Sequence, residues 1–367
     1  MKRFTLTYLL LLFCWTLFGQ DNDAWMSFWN KDTTLIGFKD KSGKVKIEPK
    51  FVSGFTAAGR FDNIIAAMED NGGSYQTYYL TKAGKIFGKD SLHIFDNGAD
   101  CESEGFIRFR DKKTERVGMF NRNGEVVIPA EFNELTRVRN GMVIALKGAE
   151  KKFWEKDNHS GCNHFSWVGG RQLLIDTNNK VLVENFQFEN QLNLFSLVTS
   201  DNPHQDTIRK NFLATDRRYY SFVDFEKEFR QWLNVHLLSN LTKDNLEKAS
   251  FREVSYWKEP DGWTTVPKKD FVERNFELIK AKLLELKTAS CDYNIFDEGL
   301  NPFIYESELY KEYYNNCGES KDWLYPVKSV VITHRDKKDL TQDHFDFLRT
   351  DDGYKLLSVT IRKGELK

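Results

Sequence analysis

Four short turns recur in the first 200 residues of this 367-residue chain, and they constrain its fold more than any other feature. They are Asp40-Lys-Ser-Gly43, Thr81-Lys-Ala-Gly84, Asn121-Arg-Asn-Gly124 and Asp176-Thr-Asn-Asn179. Each begins with a residue whose side chain can bond the backbone two positions on. Each ends with Gly or Asn, the residues that best tolerate left-handed backbone. The pattern predicts a type I turn followed by a left-handed residue, with Gly43, Gly84, Gly124 and Asn179 at the bend of a hairpin. Val45 and Ile47, Ile86 and Gly88, Val126 and Ile128, and Val181 and Val183 follow the bends at two and four residues. Phe38, Tyr79, Met119 and Leu174 precede them by five. Period-two placement predicts strands with one apolar face. The bends are 41, 40 and 55 residues apart, and the last gap holds an insertion around residues 149–169.

One such unit cannot hide its apolar face alone, so neighbours must stack into a continuous core. The expectation is a row of small antiparallel sheets, open rather than closed into a propeller. Two runs carry a family resemblance, Ile36-Gly37-Phe38 through Gly43 and Ile47 to Pro49 and Phe51, and Val117-Gly118-Met119 through Gly124 and Ile128 to Pro129 and Phe132. They resemble the WG repeat, which has Trp-Gly, a hydrophobic strand, a Gly turn, a Val/Ile pair, Pro and an aromatic. Ile36 and Val117 stand where the family has Trp, and the second and fourth units lack both the following Gly and the Pro. The resemblance spans about residues 33–200. It implies a β-repeat module of exported bacterial proteins, used as a binding or interaction surface, with no catalytic residues to carry over.

The N-terminus supplies an address. Lys2 and Arg3 precede an apolar run from Phe4 to Phe18, followed by Gly19-Gln20-Asp21. This reads as a signal peptide over residues 1–20. The run is shorter than the ~20 residues that a membrane span needs, so no span is expected after its removal. Phe13 is too bulky before Cys14 for a lipoprotein cleavage site. The predicted location is periplasm, cell surface or medium. Removal of the signal leaves Cys101, Cys162, Cys291 and Cys317, which allow three pairings. Cys101–Cys162 and Cys291–Cys317 would each close a loop within one half of the chain; four reduced, buried thiols are the alternative. In an oxidising compartment such a bond contributes about 2–4 kcal/mol.

A formal net charge of −1, from 53 basic and 54 acidic residues, argues against a nucleic-acid partner. Thirty Phe beside seven Pro argue against disorder. Ser200-Asp-Asn-Pro203-His-Gln-Asp206 is a polar, proline-bearing stretch. It suggests two domains, a β-repeat domain over 21–200 and an α+β domain over 211–367, with a linker at 201–210. In the second half Phe222, Phe225, Phe229, Trp232, Leu233 and His236 recur at helical spacing. Residues 268–289 form the clearest helix, and 303–314 a shorter one. Residues 327–333 are β-rich, and Asp351-Asp-Gly353 separates two alternating apolar runs as in a hairpin. Helices followed by paired strands predict an α+β domain. Its closing pattern is similar to the end of the nuclear-transport-factor-2-like fold.

Candidate chemistry is sparse. His159, Cys162 and His164, with Asp157 nearby, have metal-ligand character, but a closed site needs a further ligand and no second motif offers one. No metal or cofactor is therefore predicted. His236 reads as a core histidine. His334, Asp336, Asp343 and His344 bracket the last hairpin and could do acid–base work in a pocket, although turn solvation explains the aspartates equally well. Trp154, Trp167, Trp257 and Trp263 could stack on sugar rings. Phosphate-binding, nucleophile-elbow and HExxH motifs are absent. The expectation is an exported, non-catalytic protein presenting a β-repeat surface to a protein or cell-envelope partner. The alternative is an enzyme, or a small-ligand or carbohydrate binder, with its pocket in the C-terminal domain. Oligomeric state is not legible.

Overall fold

The computed structural model describes residues 24–367 apart from 57, 96–97, 155–163, 188–190, 259, 336–339 and 363. Residues 1–20, read as a signal peptide, lie outside the described residues. The chain is mostly strand, arranged in several antiparallel sheets with few helices. None of the described helices is long and apolar enough to cross a membrane.

The first sheet has seven strands running from Arg60–Phe61 at one edge to Ile86–Phe87 at the other. Next comes a three-stranded sheet of Phe106–Arg110, Val117–Asn121 and Val126–Phe132. A four-stranded sheet follows, centred on the paired strands Met142–Phe153 and Phe165–Asp176. A three-stranded sheet then places Tyr219–Asp224 between Leu192–Ser200 and Arg209–Leu213. The polar stretch read as a linker thus connects two strands of one sheet.

Consecutive sheets share cores. Ile64, Ala66 and Tyr79 of the first pack with Ile107, Phe109 and Phe120 of the second. Val117, Met119 and Ile128 pack with Val143, Ala145, Leu173 and Ile175. Met142, Ile144 and Leu174 pack with Leu194, Phe212 and Phe222. Neighbouring residues of one strand therefore enter different cores, and the central strands bury both faces. This differs from the expected single apolar face, and it explains why 64–68 and 142–146 read as continuous apolar runs.

Gly43, Gly84, Gly124 and Asn179 all have positive φ, between 64° and 83°. Each donates its N–H to the carbonyl three residues back, on Asp40, Thr81, Asn121 and Asp176, at 2.9–3.1 Å. Asp40, Asn121 and Asp176 also accept two backbone N–H bonds on their side-chain oxygens. Further bends share this geometry, two of them beyond residue 200. Arg217, at φ 68°, donates to Ala214. Gly318, at φ 77°, donates to Asn315, whose Oδ1 accepts from the N–H groups of Cys317 and Glu319.

The last sheet has six strands in the order Gly262–Pro267, Ser250–Lys258, Gly353–Thr360, Leu340–Thr350, Val327–Arg335 and Asp292–Glu298. Three helices are associated with this half: α1 (Phe225–Trp232), α2 (Lys243–Lys248) and α3 (Lys268–Glu285). Phe229, Phe271, Ile279 and Leu283 pack on Val330, Ile332, Phe345 and Phe347 of one sheet face. Tyr305, Tyr310 and Tyr313 cover the other, on Val327, Leu348 and Leu357.

Three local expectations change. Phe222 belongs to a strand, because Asp224 caps α1 by accepting from the N–H groups of Glu226 and Lys227. A wide turn over Leu233–Leu237 follows α1, and His236 faces solvent rather than the core. Residues 303–314 form only the short 3-10 turn Glu308–Tyr313.

The chain then returns to its first half. Cys317 is disulfide-bonded to Cys101, 216 residues away. Arg60 donates its N–H to the Asn316 carbonyl at 2.9 Å, Arg137 pairs with Glu319, and the Arg139 guanidinium lies 4.8 Å from the Trp323 ring centre. This corrects the expectation of bonds within each half. Cys291 is a free thiol, and Cys162 lies outside the described residues. The 315–319 bend carries Cys317 back across the fold, which no spacing of cysteines foretells.

Candidate interaction surface

The strands Met142–Phe153 and Phe165–Asp176 stay in register from Met142 opposite Asp176 to Phe153 opposite Phe165. Their inner halves belong to the shared cores; their outer halves leave them. The departure lies between the pairs Lys147–Arg171 and Ala149–Gly169, where Gly148, Gly169 and Gly170 all have positive φ and the register does not shift. Gly170 is held tightly: a methyl group there would sit 2.7 Å from the Ala149 nitrogen. Asn133 clamps the same point by donating to the Ala149 carbonyl at 2.7 Å and accepting its N–H at 3.0 Å.

Beyond this clamp the insertion noted around residues 149–169 continues both strands as an extended two-stranded arm. One face carries Phe153, Phe165 and Trp167, with ring centres 6.0 and 5.2 Å apart in sequence, and Lys151 lies 4.4 Å from the Phe165 centroid. The other face stacks Trp154 on His164 at 5.4 Å and 21°, and the indole donates to Ser166 Oγ at 2.7 Å. Trp154 is 69% exposed, Phe153 53% and Val168 50%. Phe165 and Trp167 are half-buried, so the arm carries contiguous aromatic area that is partly open on both faces. His164 is committed to this stack, whereas Asp157, His159 and Cys162 lie outside the described residues.

The buried carboxylates are held by basic side chains, although the buried Nδ1 of His93 has no hydrogen-bond partner. Asp100 is fully buried; its carboxylate accepts from Arg108 at 2.6 and 3.0 Å and from Arg137 at 2.9 Å. Burial opposes its ionisation, but Arg108 and Arg137 hold the carboxyl far below the ordinary range. His93 and Arg110 engage Glu134 at 2.8 and 2.9 Å. Sequence reasoning missed this cluster, since its members come from separate strands and loops with no local spacing. In the second half Asp343, also fully buried, bonds Lys282 at 2.9 Å, His334 at 2.8 Å and the Arg362 N–H at 2.9 Å. Burial pushes its carboxyl up, and these partners more than reverse that. His334 and Asp343 thus meet, His344 lies on the opposite side of its strand, and Asp336 is outside the described residues. Trp257 and Trp263 form an edge-on pair, 5.8 Å apart, at one margin of the last sheet.

Residues 118–149 match the family described as WG containing repeat. No curated protein matches the chain. The matched WG repeat begins at Gly118, where a methyl group would lie 2.6 Å from the Ile128 carbonyl oxygen. Gly37 is equally confined, 2.6 Å from the Pro49 nitrogen by the same measure. Each of these glycines therefore lets two strands close on an irregular crossing, where register shifts flank both residues. The matched span ends at Ala149, at the clamp from which the aromatic arm departs.

Proposed function

We propose that this chain is an exported, non-catalytic interaction protein whose β-repeat half presents a rigid surface to a protein or cell-envelope partner, with the 142–176 arm as the principal contact. In this reading residues 1–20 are a cleaved signal, 21–200 form an array of WG-like units, and 211–367 form an α+β domain of nuclear-transport-factor-2-like type. The observation that carries it is the aromatic set of exposed Phe153 and Trp154 with half-buried Phe165 and Trp167 on an arm rooted in packed sheets. Large aromatic side chains contribute much area for little ordering entropy, and a rigid root lowers the cost of binding further. The Cys101–Cys317 bond is consistent with an oxidising location. The buried carboxylates support a non-catalytic role, because Asp100, Glu134 and Asp343 are each engaged by basic side chains.

The test is site-specific photo-crosslinking in cells that express the full chain. A photoreactive phenylalanine at Trp154 is expected to trap a discrete envelope component that the same group at exposed Lys287 does not trap. Adducts at neither position, or identical adducts at both, would count against the reading.

A further inference from the structure

We propose that a cleft in the C-terminal half, between the start of α3, the 350–355 turn and the 3-10 turn Glu308–Tyr313, binds a small zwitterion of the amino-acid or short-peptide class. The cleft measures about 320 Å³, at the lower end of the ~300–1,000 Å³ typical of small-ligand sites. It stands apart from the aromatic arm and does not depend on the arm's role.

Its charges are sorted by position. One end is mainly cationic: Lys268 and Lys355 lie near each other with Asp352 beside Lys355, and Arg252 also lines the cleft. Among the described residues Arg252 and Lys268 have no carboxylate within ion-pair distance. Lys355 is anchored through its ammonium to the Lys248 carbonyl at 2.9 Å. Burial and the neighbouring charge of Lys268 push its ammonium below the ordinary range, with Asp352 acting against them. Lys268 opens α3, and Pro267 at its cap supplies no side-chain acceptor for the first-turn N–H groups, so the helix dipole adds to the positive end.

The other end is acidic and aromatic. Tyr313 and Tyr325 meet edge-on at 5.1 Å, and Phe251 lies 6.0 Å from Tyr313. Tyr325 donates its hydroxyl to Asp351 at 3.2 Å. Burial pushes the Tyr313 phenol up, and the charges of Glu312 and Asp351 push it the same way, which puts both carboxylates close to this ring.

A ligand with one charge of each sign satisfies both ends at once. Its carboxylate would face Arg252 and Lys268, and its ammonium would face Asp351 and Glu312 against tyrosine rings, a favourable place for a cation. A simple anion would meet three carboxylates, Glu312, Asp351 and Asp352, and a simple cation three bases. An apolar ligand would desolvate six charges with no return.

The experiment is calorimetric titration of the full chain at low salt with L-leucine and glycyl-leucine, alongside N-acetyl-glycyl-leucine and glycyl-leucinamide. At least one zwitterion is expected to bind with a Kd near or below ~1 mM, and each blocked form of the dipeptide about tenfold more weakly or worse. The double variant Arg252→Gln/Lys268→Gln, at an exposed and a half-buried position, should lose about tenfold in affinity with an unchanged circular dichroism spectrum, and Asp351→Asn should weaken binding separately. No saturable binding of either zwitterion up to about 10 mM overturns the proposal. So does equal binding of the acetylated form, which would make the cleft an anion site, or of the amide, which would make it a cation site.

Discussion

The carboxylate of Asp100 accepts a hydrogen bond from Nε of Arg137 at 2.9 Å, and the other end of that guanidinium holds Glu319. One arginine therefore joins a fully buried acid of the first half to a residue near the end of the chain. Asp100→Asn leaves Arg108 and Arg137 without their shared counter-charge, and a loss of about 3–5 kcal/mol is expected in urea unfolding. Because the folded-state pKa is depressed, the unfolded chain binds more protons in acid. The contribution of Asp100 is complete above the unfolded value of ~3.9 and declines as pH falls below it. Asp343 acts in the same direction. Unfolding midpoints should thus drop between pH 6 and pH 3, and less so in Asp100→Asn; equal drops would remove Asp100 as a contributor.

The Cys101–Cys317 bond closes a loop of more than 200 residues. Replacing both cysteines by serine is expected to cost about 2–4 kcal/mol and to lower the melting temperature. Peptide mapping without reductant should recover residues 101 and 317 in one linked fragment. A linked 101–162 fragment would contradict the pairing.

Gly118 and Gly43 separate two reasons for conserving space at a glycine. A methyl group at Gly118 meets the Ile128 carbonyl oxygen and the Phe109 ring, whereas at Gly43 it meets open space and only the φ of 83° resists. Gly118→Ala should cost about 1–3 kcal/mol through overpacking. Gly43→Ala should cost about 1–2 kcal/mol through left-handed strain, and the loss should shrink in Gly43→Asn. Equilibrium denaturation of the three variants checks the ordering.

Residues 151–167 can be exchanged for Asn-Gly, a turn suited to joining Glu150 and Val168, which face each other across the arm. The shared cores end at Ala145 and Leu173, and the lost Lys151–Glu115 pair is exposed. Stability should therefore change by no more than about 1 kcal/mol. A large loss by calorimetry would mean that the arm is structural rather than a contact element.

The β-rich character of the chain is legible because turn chemistry is local: Asp40, Asn121 and Asp176 bond their own neighbouring N–H groups wherever the chain goes. The bend at Arg217 carries no such mark, since neither Ala214 nor Arg217 advertises a turn. The 315–319 bend does carry it, and Tyr314-Asn-Asn-Cys-Gly-Glu319 parallels Phe120-Asn-Arg-Asn-Gly-Glu125. Alternation revealed strands but not how many faces each one buries, because that depends on what stacks above and below. The arm was hidden for the opposite reason: aromatic residues signal burial on average, and only the path of the strands leaves Trp154 bare. The Asp100 cluster and the cleft draw residues from distant segments, and no periodicity links them.

Cys101 leaves the ribosome long before its mate. Some sixty residues later Cys162 becomes its first available suitor, and Cys317 arrives only after five-sixths of the polypeptide has been made. Maturation must therefore either hold one thiol in reserve throughout most of synthesis or correct an early mismatch afterwards. A host that produces this protein well would need shuffling capacity, and not merely an oxidant.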